Sequence, residues 1–192
     1  MADPSTRERF PLVVAKAYAE DLCSSMAPVC DRVAVVGSVR RGKTDVGDIE
    51  LLMIPKFEPA AQTLFGGSEE QISSQLVCVE KLIADGVLQH RLDKNGHKCC
   101  GTWMQRVVYQ GVPVDFFCCT AEQWGLSMVI RTGPADFSQK MATERSRRGF
   151  LPDGFCIRGF RVVDHFHRLE TPEEIDVFNA IGMRWIEPRD RR

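Results

Sequence analysis

A chain of 192 residues is long enough for one domain with a full core, or for a domain with a small appendage. Its 25 basic and 26 acidic residues leave a formal net charge of −1, which excludes binding to nucleic acid through bulk charge and leaves only a local basic face for that purpose. No apolar run is long enough to span a membrane, and the eight cysteines, with no visible amino-terminal signal sequence, read as free thiols in a reducing, cytoplasmic setting.

In chain order, Pro11 to Met26 has room for one helix, with Leu12, Ala15, Ala19 and Leu22 on a single stripe. Gly37 and Ser38 then permit a tight turn whose N–H groups and hydroxyl can hold phosphate oxygens, and Arg40 or Arg41 can offer a bidentate guanidinium. Just beyond Gly47, Asp48 and Glu50 stand two apart in an apolar run. On a strand, residues i and i+2 share a face, so the two acids form a metal cup while Ile49 and Leu51 point into a core. Asp45 lies in the intervening loop and reads as solvent-facing.

Phe57 to Gly67 reads as a flexible loop, and Ser68 as the cap of a helix running to Asp85, with Ile72, Leu76, Val79, Leu82 and Ile83 inward and Gly86 at its end. After a turn at 93–96, two strands, Cys100 to Tyr109 and Val112 to Cys119, flank Gln110-Gly111 as a two-residue hairpin loop. The second strand carries Asp115, a third acid in apolar surroundings. Two Mg²⁺ ions about 3.5–4 Å apart require one carboxylate that bridges both and others that bind one each, and Asp48, Glu50 and Asp115 meet that demand. Neither His97 with Cys99 and Cys100, nor His165 with His167, has the paired spacing of a zinc site.

Farther on, Arg131, Lys140, Arg145, Arg147, Arg148, Arg158 and Arg161 cluster with only Asp136, Glu144 and Asp153 among them. Two readings stand side by side: a face that displaces counterions from a phosphate backbone, and a solvated surface. Thr171, Pro172 and Glu174 make a capping box for a helix carrying Ile175, Phe178 and Ile181. Trp103, Trp124, Trp185, Phe116 and Phe137 read as core rather than as base-stacking platforms. The whole is an α/β chain.

The pairing of Gly37-Ser38 with the acid-hydrophobic-acid of Asp48 and Glu50 is the pattern of the nucleotidyltransferase superfamily. The longer run Gly37-Ser38-Val39-Arg40-Arg41-Gly42 with Gly47-Asp48, then Thr132-Gly133, Arg147-Arg148-Gly149-Phe150, and 171–188, resembles the X family of DNA polymerases over about residues 10 to 190. That resemblance implies a nucleotidyltransferase palm with a mixed β-sheet flanked by helices (1–122, including the amino-terminal helix) and a small thumb-like subdomain (123–192). It implies a Mg²⁺-dependent enzyme, with Mn²⁺ able to substitute, that adds nucleoside monophosphates from a triphosphate to a 3′-hydroxyl at a gap or primer end in DNA repair. Asp48, Glu50 and Asp115 would be the catalytic metal triad, with Asp115 also activating the hydroxyl. Gly37, Ser38, Arg40, Arg41, Gly47, Thr132 and Gly133 would bind the nucleotide, and Lys140, Arg145, Arg147 and Arg148 would contact DNA. The amino-terminal lyase and fingers modules of the family look absent.

Five positions depart from the family pattern. Ile130-Arg131 replaces an aromatic pair tied to sugar selection, Pro113 stands where an arginine usually precedes the third acid, and Ser138 and Ala142 occupy positions of base- and template-contacting side chains. These departures leave two rivals: a template-independent transferase acting on RNA, a protein or a small molecule, and a non-catalytic module that binds DNA ends or a partner.

Overall fold

The computed structural model describes residues 8–59 and 71–192. In chain order the elements are β1 (Phe10–Pro11), α1 (Leu12–Met26), β2 (Cys30–Val36), the single turn α2 (Gly37–Arg40), β3 (Asp45–Val46), β4 (Ile49–Pro55), β5 (Phe57–Pro59), β6 (Gln71–Ser73), α3 (Ser74–Ala84), β7 (Leu88–His90), β8 (Cys100–Gly101), β9 (Met104–Tyr109) and β10 (Val112–Cys118). Then follow α4 (Trp124–Thr132), α5 (Ala135–Met141), β11 (Phe155–Arg158), β12 (Arg161–Asp164), β13 (His167–Arg168) and α6 (Glu174–Ala180). They form two compact units, one from the chain up to Val35 together with Asp45–Cys118, the other from Val36–Thr44 together with Cys119–Arg192.

The first unit is built on a mixed sheet of order β2-β4-β10-β9-β7, with β8 paired to β9. At its centre β10 runs parallel to β4 and antiparallel to β9. Strands at the centre of a sheet covered on both faces are near-continuous apolar runs, and Ile49–Pro55 and Val112–Cys118 fit that rule except at Glu50 and Asp115. Helix α1 packs on β4 through Ala15, Ala19, Leu22 and Met26, a stripe at helical spacing. Gln110 and Gly111 both take positive φ, 50° and 81°, which gives the two-residue turn the right-handed twist of the flanking strands.

The predicted strand 100–109 instead breaks at Thr102-Trp103 into a second hairpin, with Cys100 opposite Gln105 and Gly101 opposite Met104. Trp103, expected in the core, sits at that tip 52% exposed, its ring 6.5 Å from that of Phe57. The predicted loop at 57–67 begins as β5, which pairs with β6; its remainder lies outside the described residues, as does Ser68. Helix α3 is capped by Ser73, whose Oγ accepts from the Leu76 N–H at 3.3 Å. Ile72 consequently stands on β6 and is exposed, while Val79 is fully buried. At the other end of α3, Gly86 takes φ 73° and donates to Ile83. The described helices include none long and apolar enough to cross a membrane, and all eight cysteines are free thiols.

The second unit packs Leu126 and Val129 of α4, Phe137 and Met141 of α5, Val162 of β12, and Val177 and Phe178 of α6 into one core. Helix α4 presses so closely on the chain at 171–173 that a Cβ on Gly125 would lie 2.2 Å from the Thr171 carbonyl oxygen. The capping box of α6 falls two residues later than the sequence predicts. Glu173 is the N-cap, with Asp176 reaching back to it, because the Glu174 carboxylate is taken up by two arginines. With that phase, Val177 and Phe178 face the core and Ile175 is exposed.

Candidate active site

In the β4/β10 ladder Glu50 stands directly opposite Asp115, and Ile49 opposite Val114. Partners in a ladder point to the same face, so the two carboxylates share one side of the sheet. The Asp115 pKa is raised, first by burial and in smaller part by the charge of Asp48, which immediately precedes β4. Asp115 is only 7% exposed, and loss of water penalises its ionised form. The guanidinium groups of Arg91 and Arg106 pull in the opposite direction without cancelling it.

Asp115 is held from two strands. Arg91, just past β7, donates through Nη2 to Oδ1 of Asp115, and Arg106, its ladder partner on β9, brings Nε to 3.7 Å from Oδ2. Sequence reasoning saw only the arginine missing at Pro113. The structure supplies the charge from the neighbouring strands, and the clue was the alternation in β9: Gln105 and Val107 are buried, which turns Arg106 to the face of Asp115. On the opposite face Gln75 donates to Gln105 at 2.7 Å, a fully buried amide pair that ties α3 to the sheet.

Among the described residues no three His, Cys, Asp or Glu side chains are gathered as a ready metal cage. The chemistry of the acid set nonetheless fits a hard divalent cation: all donors are carboxylate oxygens, at least two share a face, and their mutual repulsion is met only in part by Arg91 and Arg106.

The tight turn predicted at Gly37-Ser38 is present in the second unit. Gly37 has φ 64°, and the turn closes through Arg41 N–H to Gly37 O at 3.2 Å, Gly42 N–H to Val39 O at 3.0 Å and Lys43 N–H to Ser38 O at 3.2 Å. The Ser38 Oγ is shielded from water yet has no hydrogen-bond partner among the described residues, the state of a hydroxyl that awaits an acceptor. Arg40 donates to Thr132 Oγ1 at 2.6 Å and forks onto Glu174, at 2.9 Å to Oε1 and 2.5 Å to Oε2. Arg41 donates to the Thr132 carbonyl. Gly133 has φ 66° and ψ −153°, open to glycine alone, and a Cβ there would come within 3.1 Å of Arg41 Nη1. The structure thus joins Arg40, Arg41, Thr132 and Gly133, and adds Glu174 and Arg191, which the sequence reading did not connect with the turn. Gly47 lies in the first unit, next to Asp48.

Of the predicted DNA-contacting residues, Lys140 lies on α5 with its Nζ 5.9 Å from the Phe150 ring centroid, and Arg147 and Arg148 are exposed on the following segment. Arg145 is engaged internally, donating to the Ile181 carbonyl at 2.5 Å. Arg131 lies over the Phe160 ring at 5.6 Å, and Arg161 pairs with Glu122 at 2.5 Å. Ser138 spends its hydroxyl on the Ile130 carbonyl, 2.7 Å away.

No family model and no curated protein sequence matches this chain. Comparison of the fold with solved structures does find counterparts. Polymerase beta of Leishmania infantum, solved as a ternary P/T complex, superposes with a TM-score of 0.67 at 19% identity, over 96% of this chain and 77% of that one. The fold of this chain is therefore a polymerase-beta-like nucleotidyltransferase fold, a mixed sheet flanked by helices.

Proposed function

We propose that this protein is a metal-dependent nucleotidyltransferase that joins nucleoside monophosphates to a 3′-hydroxyl, and that it acts on DNA at gaps or primer ends in the manner of a minimal X-family polymerase. The observation that carries this reading is the placement of Asp115 opposite Glu50 on one sheet face, with the Asp48 charge acting on it. The fold shared with a polymerase beta, and that structure's ternary P/T complex, support the choice of acceptor.

Asp48, Glu50 and Asp115 would hold Mg²⁺ or Mn²⁺, which when bound supplies charge neutralisation at the transferring phosphoryl group. Ser38 Oγ would take a phosphate oxygen of the incoming triphosphate, with Arg41 adding a cation. Asp115, with its carboxyl pKa raised, is suited to accept the proton of the attacking hydroxyl as that oxygen bonds to the α-phosphorus and pyrophosphate departs. Arg91 and Arg106 keep Asp115 turned to that face.

A second reading, untemplated transfer, is favoured by one observation. The Ser138 hydroxyl is committed to Ile130, and Ala142 offers no polar group, so neither position presents a side chain that reads a base or template.

The test is extension of a labelled one-nucleotide-gapped DNA, and of matching single-stranded DNA and RNA, with each deoxy- and ribonucleotide separately, by the wild-type protein and by Asp115→Asn. Template-matched addition that is lost in the variant supports the polymerase; untemplated tailing supports the second reading. No extension under any condition would overturn both and favour the binding module.

A further inference from the structure

We propose that Arg40 is a strut rather than a phosphate ligand, and that Glu174, fixed in place by Arg191, is the positioning residue that sets the 37–43 turn for a triphosphate. This deepens the nucleotidyltransferase reading and rests on it only for the identity of the ligand.

The chain of contacts is continuous within the second unit. Arg191 has no side-chain exposure and is stacked among Phe137, Phe178 and Trp185, whose ring centroids lie 5.5, 5.3 and 5.2 Å from its Cζ. Its Nε donates to the Ile186 carbonyl at 3.1 Å and its Nη1 to Glu174 Oε1 at 2.7 Å, while Nη2 has no partner among the described residues. A guanidinium held in an aromatic box is rigid, so the carboxylate it grips is rigid too. Both oxygens of Glu174 then receive the fork of Arg40, and the same Arg40 Nη1 reaches Thr132 Oγ1 at the end of α4. Arg40 is the last residue of the one-turn helix that begins at Gly37, so the fork fixes the segment that carries Ser38 Oγ and the turn amides.

Charge supports the assignment. Arg40 and Arg191 share one carboxylate, and for Arg40 to turn to a phosphate it would have to give up both hydrogen bonds to Glu174 and the one to Thr132. A carboxylate whose two oxygens are both engaged before any ligand arrives is suited to preorganising a site.

Two opposite outcomes separate strut from ligand. If Arg40 were a phosphate ligand restrained by Glu174, Glu174→Gln would free it and tighten triphosphate binding. As a strut, Arg40→Met and Glu174→Gln each weaken binding of a fluorescent nucleoside triphosphate about tenfold, and the double variant is no worse than either single. Amide hydrogen exchange of the ligand-free proteins gives an independent readout: Arg41, Gly42 and Lys43 exchange about tenfold faster in both variants, with the core of α5 unchanged. Should Glu174→Gln fail to fold, the triple variant Arg40→Met/Glu174→Leu/Arg191→Met replaces the network with apolar volume, keeps the fold and still releases the turn. Unchanged exchange at the turn, or tighter binding by Glu174→Gln, overturns the proposal. If the wild-type protein binds no triphosphate, the nucleotidyltransferase reading fails while the exchange result still decides the strut.

Discussion

Removing Arg91 isolates what holds the central acid. Asp115 is buried with Arg91 donating to one oxygen and Arg106 standing 3.7 Å from the other. Breaking a fully buried ion pair costs about 3–5 kcal/mol, but the Arg91 side chain keeps a quarter of its exposure and Arg106 remains, so Arg91→Met should cost about 1–2 kcal/mol. For a chain of this size that lowers the melting temperature by roughly 2–8 °C.

The sign of the pH dependence follows from the raised Asp115 pKa. A carboxyl whose folded pKa exceeds its unfolded value contributes stability that is fully present below the unfolded pKa and is lost as pH rises through the folded one. Arg91 opposes that rise, so its removal widens the window of loss. The deficit of Arg91→Met, measured by urea unfolding in EDTA, should be full at pH 7.5 and shrink as the pH falls below the folded pKa of Asp115. A cycle with Asp115→Asn should return a coupling of about 1–2 kcal/mol, because with the charge gone Arg91 has little left to compensate. A pH-independent deficit, or coupling within about 0.5 kcal/mol of zero, would mean that Arg91 acts through packing and that Asp115 is held by the sheet alone.

Mn²⁺ at 100 times its dissociation constant should stabilise the wild-type protein by about 2.7 kcal/mol in thermal melts, and the shift should vanish in Asp48→Asn/Glu50→Gln; an equal shift in that variant would remove these acids from metal binding. The triple variant Lys140→Ala/Arg147→Ala/Arg148→Ala should flatten the slope of log affinity for DNA against log salt by about 0.9 for each phosphate that is no longer neutralised, whereas an unchanged slope identifies the basic cluster as solvated surface. Gly125→Ala places a Cβ 2.2 Å from the Thr171 carbonyl oxygen and 2.5 Å from that of Glu173, both backbone atoms, and should cost roughly 1–3 kcal/mol in a chemical melt; a neutral result would show that α4 and the 171–173 chain separate freely.

What was legible in the sequence was what depends on near neighbours. The apolar run after Gly47 put Glu50 on a strand, although Asp48 stands just ahead of β4 rather than on it; Gln110-Gly111 announced a hairpin, and the apolar run around Asp115 placed a third acid in a strand, all decided by local sterics and period-two alternation. What failed was phase and partner choice. Thr171-Pro172-Glu174 satisfies the rule for a capping box, yet the structure starts the helix two residues later, because Glu174 is worth more as the acceptor of two guanidinium groups 134 and 17 positions away than as a cap. Arg91 and Arg106 escaped notice for the same reason. Each is an ordinary charged residue in its own segment, and only the ladder register brings them to Asp115. Charges that compensate one another across long sequence separations leave no periodic trace, so an acid can be read from a sequence while the cations that set its pKa and orientation cannot. The consequence is practical. The missing arginine at Pro113 weighs against a tuned catalytic acid in the sequence alone, and carries no such weight once two guanidinium groups stand at Asp115 by another route.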